Sequence, residues 1–188
     1  MKRFSTIGLV LAAVLALGSC GGNSTLDDTE AAVFITVEIE EYNPDIDICL
    51  FAGIDMAISE MTIESRAKSP VANIGPNQDV NLTRWVVTPY RTDGGATSSP
   101  EWTYDQAVFV PAGGQADLEN YRIYPAENFG VEPLLWLYSE YGGVDPETGN
   151  TNIRQSLQLQ LFGRTISGKA VATEPIPVAF NFFCNPGN

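Results

Sequence analysis

Histidine is missing from all 188 residues. Its absence removes His-ligated zinc, Ser-His-Asp and Cys-His nucleophilic catalysis, and haem attachment through Cys-x-x-Cys-His. Basic side chains are scarce as well, ten Lys and Arg against 23 Asp and Glu, for a net charge of −13. A surface of that sign repels nucleic acid and anionic headgroups, so neither is expected as a direct partner of the folded part. It is compatible with cationic partners and with Ca²⁺. Carboxylate chemistry and a Ser-Lys arrangement survive these exclusions. Cysteine is limited to three residues.

What is present begins with an address. Lys2 and Arg3 precede an apolar stretch at residues 7–17 (IGLVLAAVLAL), and the small Gly18 and Ser19 follow. A short positive segment, an apolar run and small residues make a secretory signal peptide, and the run is too short to span a bilayer as a permanent helix. Leu17-Gly18-Ser19-Cys20 resembles the lipobox of bacterial lipoproteins, an aliphatic residue and two small ones before a cysteine. The resemblance implies that the Cys20 thiol receives a diacylglycerol, that cleavage falls just before Cys20, and that the new amino group is acylated. Several acyl chains on one residue make anchoring effectively permanent, at ~0.8 kcal/mol per buried methylene. Gly21 stands where an Asp would signal inner-membrane retention, so the resemblance favours the outer membrane of a bacterial envelope over the inner.

Losing residues 1–19 removes two of the ten basic residues and no acid, so the mature chain keeps eight against 23, a net charge of −15. With Cys20 lipidated, Cys49 and Cys184 remain. An even pair in an exported chain predicts a disulfide. The loop it closes is long, and the chain-entropy model assigns roughly 4–5 kcal/mol to such a bridge.

Residues 21–30 (GGNSTLDDTE) are small, polar and acidic, the composition of a flexible tether. From residue 31 the pattern changes to period two. Val33, Ile35, Val37 and Ile39 alternate with Phe34, Thr36, Glu38 and Glu40, a half-buried strand ended by Asn43-Pro44-Asp45. In residues 54–65 the spacing of three between Ile58 and Met61 breaks the alternation, as a β-bulge does. Further strands are expected over 80–90 (VNLTRWVVTPY), 107–110 (AVFV), 116–124, 153–162 (IRQSLQLQLF), 169–173 and 176–182. Residues 134–138 (LLWLY) are dense and apolar. About eight or nine strands, separated by Gly, Pro, Asn and Asp, predict an all-β antiparallel sandwich. The closing segment LFGRTISGKAVATEPIPVAFNFF has a Gly-x-Thr-x-x-Gly-Lys hairpin between its strands. It is similar to the last strands of bacterial immunoglobulin-like domains, which implies an immunoglobulin-like sandwich. Residues 31–188 suit one elaborated domain better than two.

Four constellations could carry chemistry. Residues 144–152 (VDPETGNTN) gather Asp145, Glu147 and Asn150, with Asn152, and such hard oxygen ligands suit Ca²⁺. Their spacing misses the EF-hand pattern, and Asp-Pro-x-x-Gly-Asn is also a good turn. Asp45, Asp47 and Asp55 invite the same suggestion and the same objection. Ser65-Arg66-Ala67-Lys68 matches the S-x-x-K nucleophile motif, yet it trails a strand where that chemistry needs a helix start, and no S-D-N or K-T-G accompanies it. Among Trp85, Trp102, Tyr104, Trp136, Tyr138 and Tyr141, large aromatics ordinarily fill cores. Trp102, in the loop-like segment 98–102, is the candidate for an exposed binding surface toward protein or sugar.

The residues thus predict a lipid-anchored envelope protein carrying a non-catalytic binding or structural module. Its partners would be the membrane, through the lipid on Cys20, and an envelope protein or polysaccharide; no cofactor beyond a Ca²⁺ ion is suggested. The competing expectation is a carboxylate-dependent enzyme acting on envelope polysaccharide, for which no acid pair stands out.

Overall fold

A computed structural model describes residues 31–51, 53–70 and 74–185. The signal peptide, Cys20 and the tether lie outside the described residues. Nine strands form among them: β1 (Val33–Glu41), β2 (Asp45–Asp47), β3 (Met56–Ala67), β4 (Val80–Arg91), β5 (Trp102–Val110), β6 (Gln115–Tyr124), β7 (Asn152–Thr165), β8 (Ala170–Ala172) and β9 (Ile176–Phe183). The smaller sheet has the order β1-β3-β6 and the larger β2-β9-β7-β4-β5, with β8 paired to the end of β7. Every pairing is antiparallel except β2 with β9. The two sheets pack face to face as an all-β sandwich. β1, β3 and β6 share one sheet and β4, β7 and β9 the other, with β5 extending the second sheet.

The alternation seen in the sequence is what builds the core. On β7, Leu157, Leu159 and Leu161 are buried while Gln158 and Gln160 turn outward, and Val33 and Ile35 do the same for β1. Trp85, fully buried on β4, is the largest core side chain. It stacks on Tyr121 of β6 with ring centroids 4.3 Å apart and gives its indole N–H to Gln106 O at 3.1 Å.

The expected break at Ile58–Met61 is real, and it is shared. Ile58 and Met61 are both buried, and their pairings Ile58↔Tyr121 and Glu60↔Glu119 skip Ser59 and Asn120. Asn120 takes a left-handed φ of 50°, a conformation Asn tolerates better than most residues. The register is unbroken at this level, so the interruption is a change of burial phase shared by both strands rather than a bulge; the register shift of this pairing falls between Met56 and Ala57.

Three segments depart from the expectation. β2 begins at Asp45, inside the predicted stop, because a short parallel pairing to β9 gives no alternation to read. β5 starts at Trp102 rather than Ala107, so the loop-like placement of Trp102 is corrected. The LLWLY run is a 3₁₀ helix, Leu134–Leu137, between two others at Ala126–Gly130 and Ser139–Tyr141. Its buried Leu134 and Leu137 close the bottom of the core without joining a sheet.

The sandwich has two unlike ends. Residues 68–70, 74–79, 111–114 and 166–169 lie at the end where β1 begins. Residues 48–51, 53–55, 92–101 and 125–151 lie at the other, beside the end of β9. Cys49 and Cys184 are bonded there, Cα atoms 5.1 Å apart across a sequence separation of 135. The predicted disulfide therefore welds β2 to the end of the last strand.

Candidate functional site

Asp145 and Glu147, proposed as Ca²⁺ ligands from sequence, converge on an arginine instead. Arg91 ends β4 with a side chain 2% exposed. Its Nε donates to Asp93 Oδ1 at 2.7 Å, Nη2 to Asp145 Oδ2 at 2.6 Å and Nη1 to Thr97 O at 3.2 Å. Glu147 Oε2 stands 3.7 Å from Nη1. The remaining carboxylate oxygens are engaged as well. Arg154 N–H donates to Asp93 Oδ2 and Glu147 N–H to Asp145 Oδ1, Thr148 Oγ1 adds a second bond to Asp145 Oδ2, and Ala96 N, Thr97 N and Thr97 Oγ1 donate to Glu147. Asn150 contributes its backbone carbonyl to Asp145 N–H at 2.8 Å. A Cβ at Gly95 would collide with the guanidinium, so only glycine fits over it.

Burial alone would raise the Asp145 carboxyl, but hydrogen bonds from Thr148, Arg91 and the Glu147 N–H outweigh it and hold the group below its usual 3.8. Asp93 is likewise pushed up by burial and pulled further down by Arg91, Arg154 N–H and Gly95 N–H. The guanidinium occupies the centre that a cation would take, and the cluster is a latch between two loops.

The three other acids do not meet around one point. Asp47 caps Cys49 N–H, Leu50 N–H and Asn185 N–H, Asp55 accepts from Ala126 N–H and pairs with Arg122, and Asp45 accepts from Asn181. Among the described residues no group of three or more His, Cys, Asp or Glu side chains is arranged to hold a metal ion. Ser65 of the S-x-x-K match is buried within β3, far from the helix start its chemistry requires.

Trp102 is half-buried in a column of rings. It stacks on Tyr104 at 4.1 Å, Tyr104 stacks on Trp85 at 5.8 Å, and the Arg122 guanidinium covers Trp102 at 4.7 Å. Tyr104 Oη donates to Arg122 O at 2.7 Å, joining β5 to β6 across the sheets. Burial pushes the Tyr104 hydroxyl well above its ordinary value. Trp136 is half-buried in its 3₁₀ helix, Tyr138 donates to Ile48 O at 3.3 Å, and Tyr141 is exposed. These rings brace the fold, and Trp102 offers no open platform.

Open concave surface lies on both sheets: grooves of about 300 and 350 Å³ on the smaller one are lined mainly by acids such as Glu38, Glu64, Glu40, Glu60 and Asp117, and the larger sheet carries others. Thr88, Tyr90, Gln158, Gln160 and Pro175 line a shallow groove of about 260 Å³, with Tyr90 53% exposed. Toward the end where β1 begins, a larger trough of about 490 Å³ runs between β4, β5, β7 and β8, lined among others by Asn81, Thr83, Arg84, Asp105, Phe162 and Arg164.

A bulge makes that trough. The β4–β7 pairs Leu82↔Gly163 and Arg84↔Phe162 leave Thr83 as an extra residue. Thr83 and Arg84 consequently both face solvent between the buried Leu82 and Trp85. Re-aiming a side chain in this way is what bulges do. At Gly163 a Cβ would lie inside the Asn81 carbonyl oxygen, so the floor stays flat only with glycine there. Arg84 lies over the Phe162 ring at 5.1 Å. Arg164 donates to Gly168 O at 2.9 Å, fixing its guanidinium to the β7–β8 turn.

Neither Arg84 nor Arg164 stood out in the sequence. For Arg84 alone a signal was there: the three-residue step from Leu82 to Trp85 interrupts the alternation, as the step from Ile58 to Met61 does.

No family model matches this sequence, and no curated protein is similar to it. Among solved structures, the chain is similar to the Northeast Structural Genomics Consortium target SoR45, at 11% identity and a TM-score of 0.36, over 83% of this chain and 89% of that one.

Proposed function

We propose that this is a lipid-anchored protein of the bacterial cell envelope, attached through Cys20, whose β-sandwich is a non-catalytic binding module. The observation that carries the reading is the Cys49–Cys184 bridge. Such bonds persist in oxidising compartments, which agrees with the signal peptide and the Leu17-Gly18-Ser19-Cys20 motif read independently at the other end of the chain. Gly21 after the cysteine favours the outer membrane. The binding surface is the outer face of the larger sheet, where the trough of about 490 Å³ carries arginines rather than the acids that dominate the smaller sheet's grooves, and the partner is an envelope protein or polysaccharide.

Of the carboxylates, the buried pair Asp93 and Asp145 does not suit the competing polysaccharide-cleaving reading. Glycoside hydrolysis sets two acids apart, one with a raised pKa. The buried Asp93 and Asp145 share a guanidinium that lowers both, the opposite of what a general acid needs.

The test is metabolic labelling of the full chain with radiolabelled palmitate, followed by fractionation. Labelled protein in the membrane fraction is expected, with Cys20→Ser unlabelled and released to the soluble fraction. An unlabelled wild type, or a Cys20→Ser chain still in the membrane, overturns the anchor.

A further inference from the structure

Two of the eight basic residues of the mature chain, Arg84 and Arg164, open into one trough of about 490 Å³. They stand on the paired strands β4 and β7, Arg84 opposite Phe162 and Arg164 opposite Asn81, with the bulged Thr83 between. At physiological ionic strength charges are screened beyond ~8 Å, so the charges lining the trough, Arg84, Arg164 and Asp105, set its field rather than the protein's net charge. Each guanidinium has five N–H donors in a planar fork suited to a carboxylate, and the turn carbonyl at Gly168 takes one from Arg164.

The rest of the lining argues against a bare anion as the ligand. Asp105, directly across from Arg84 on β5, adds a carboxylate, which repels an anion but accepts hydroxyl protons. Asn81 and Thr83 offer both donors and acceptors on the same floor. One anionic group with several hydroxyls around it satisfies this whole set.

We propose that the trough between β4, β5, β7 and β8 binds an acidic saccharide, a sugar unit carrying a carboxylate. Its carboxylate sits between Arg84 and Arg164, and its hydroxyls meet Asp105, Asn81 and Thr83. The inference deepens the envelope-binding reading and rests on it for the choice of a polysaccharide partner.

The experiment is isothermal titration of the purified full chain in detergent, free of divalent cations. The probes are oligogalacturonate, neutral maltohexaose and sodium acetate. Saturable binding of oligogalacturonate alone is expected. Arg84→Gln with Arg164→Gln should weaken it by about tenfold or more, the loss of charge-assisted hydrogen bonds. Asp105→Asn should weaken it about threefold, as one hydroxyl partner is degraded, whereas Arg154→Gln, on the same face outside the trough, should leave it unchanged. No saturable binding overturns the proposal, as does equal binding of maltohexaose, an unaffected double variant, or tighter binding by Asp105→Asn, the mark of simple anion attraction. Palmitate labelling does not depend on any of these results, so failure of the anchor and failure of the trough are told apart.

Discussion

β4 carries two arginines of opposite fate. Arg91, at the far end, is buried beneath Asp93 and Asp145, every carboxylate oxygen around it already hydrogen-bonded. Arg84, seven residues earlier, stands in the open with only a ring beneath it. The same side chain serves as a strut at one end of the sandwich and as an offered donor at the other. The difference lies in what the neighbouring loops bring. Loops 92–101 and 144–151 supply carboxylates that surround Arg91, whereas the bulge at Thr83 lifts Arg84 out of the alternation and leaves it facing a trough. A buried charge must be matched where it sits, and an exposed one is free to be matched by something else.

The contrast can be broken most forcefully at the braced end. Replacing Cys49 and Cys184 by serine releases a loop of 135 residues, and the chain-entropy model puts the loss at about 5 kcal/mol. Urea unfolding with and without reductant measures it, and saccharide titration of the variant below its transition should be unchanged.

Arg91→Met follows. It strands two buried carboxylates, and removing one partner of a buried ion pair costs about 3–5 kcal/mol. The same variant carries a pH signature. Asp93 and Asp145 have folded-state values below the unfolded ones, so their contribution is full above roughly pH 4 and is lost as pH falls through the folded values. Wild-type unfolding free energy should therefore decline below about pH 4 through these groups, and Arg91→Met should flatten that part of the curve.

The smallest effect is expected at the open end. Arg84→Gln with Arg164→Gln should change unfolding free energy by no more than about 0.5 kcal/mol, the usual scale for exposed substitutions. A loss as large as that of Arg91→Met would show that both ends are struts and erase the comparison.

The sequence announced the sheets wherever one face is buried and the other wet, because alternation is then forced residue by residue. Ile153 to Phe162 reads directly, and so does the change of burial phase between Ile58 and Met61, although the register does not shift there. β2 was invisible because three residues in a parallel edge pairing hold no period. The start of β5 was hidden because Thr103, Asp105 and Gln106 are polar residues on an edge strand. The disulfide was legible by elimination once Cys20 was assigned to the lipid. The acidic loop was misleading for a physical reason: its oxygens do surround a cation, but that cation is a guanidinium 54 residues earlier in the chain. The trough escaped because Arg84 and Arg164 meet only through the β4–β7 register, which no local pattern encodes.

The placement of the bridge also decides how the domain bears load. Consider the chain pulled from its N-terminus while a ligand holds the outer face. The pull enters at the start of β1, whose first residue Val33 lies opposite Ala67. β1 and β2 lie outside the covalent ring that Cys49 and Cys184 close. Every residue lining the trough lies inside it, so the segment that takes the pull first and the segment that would hold a ligand are separated by a covalent boundary.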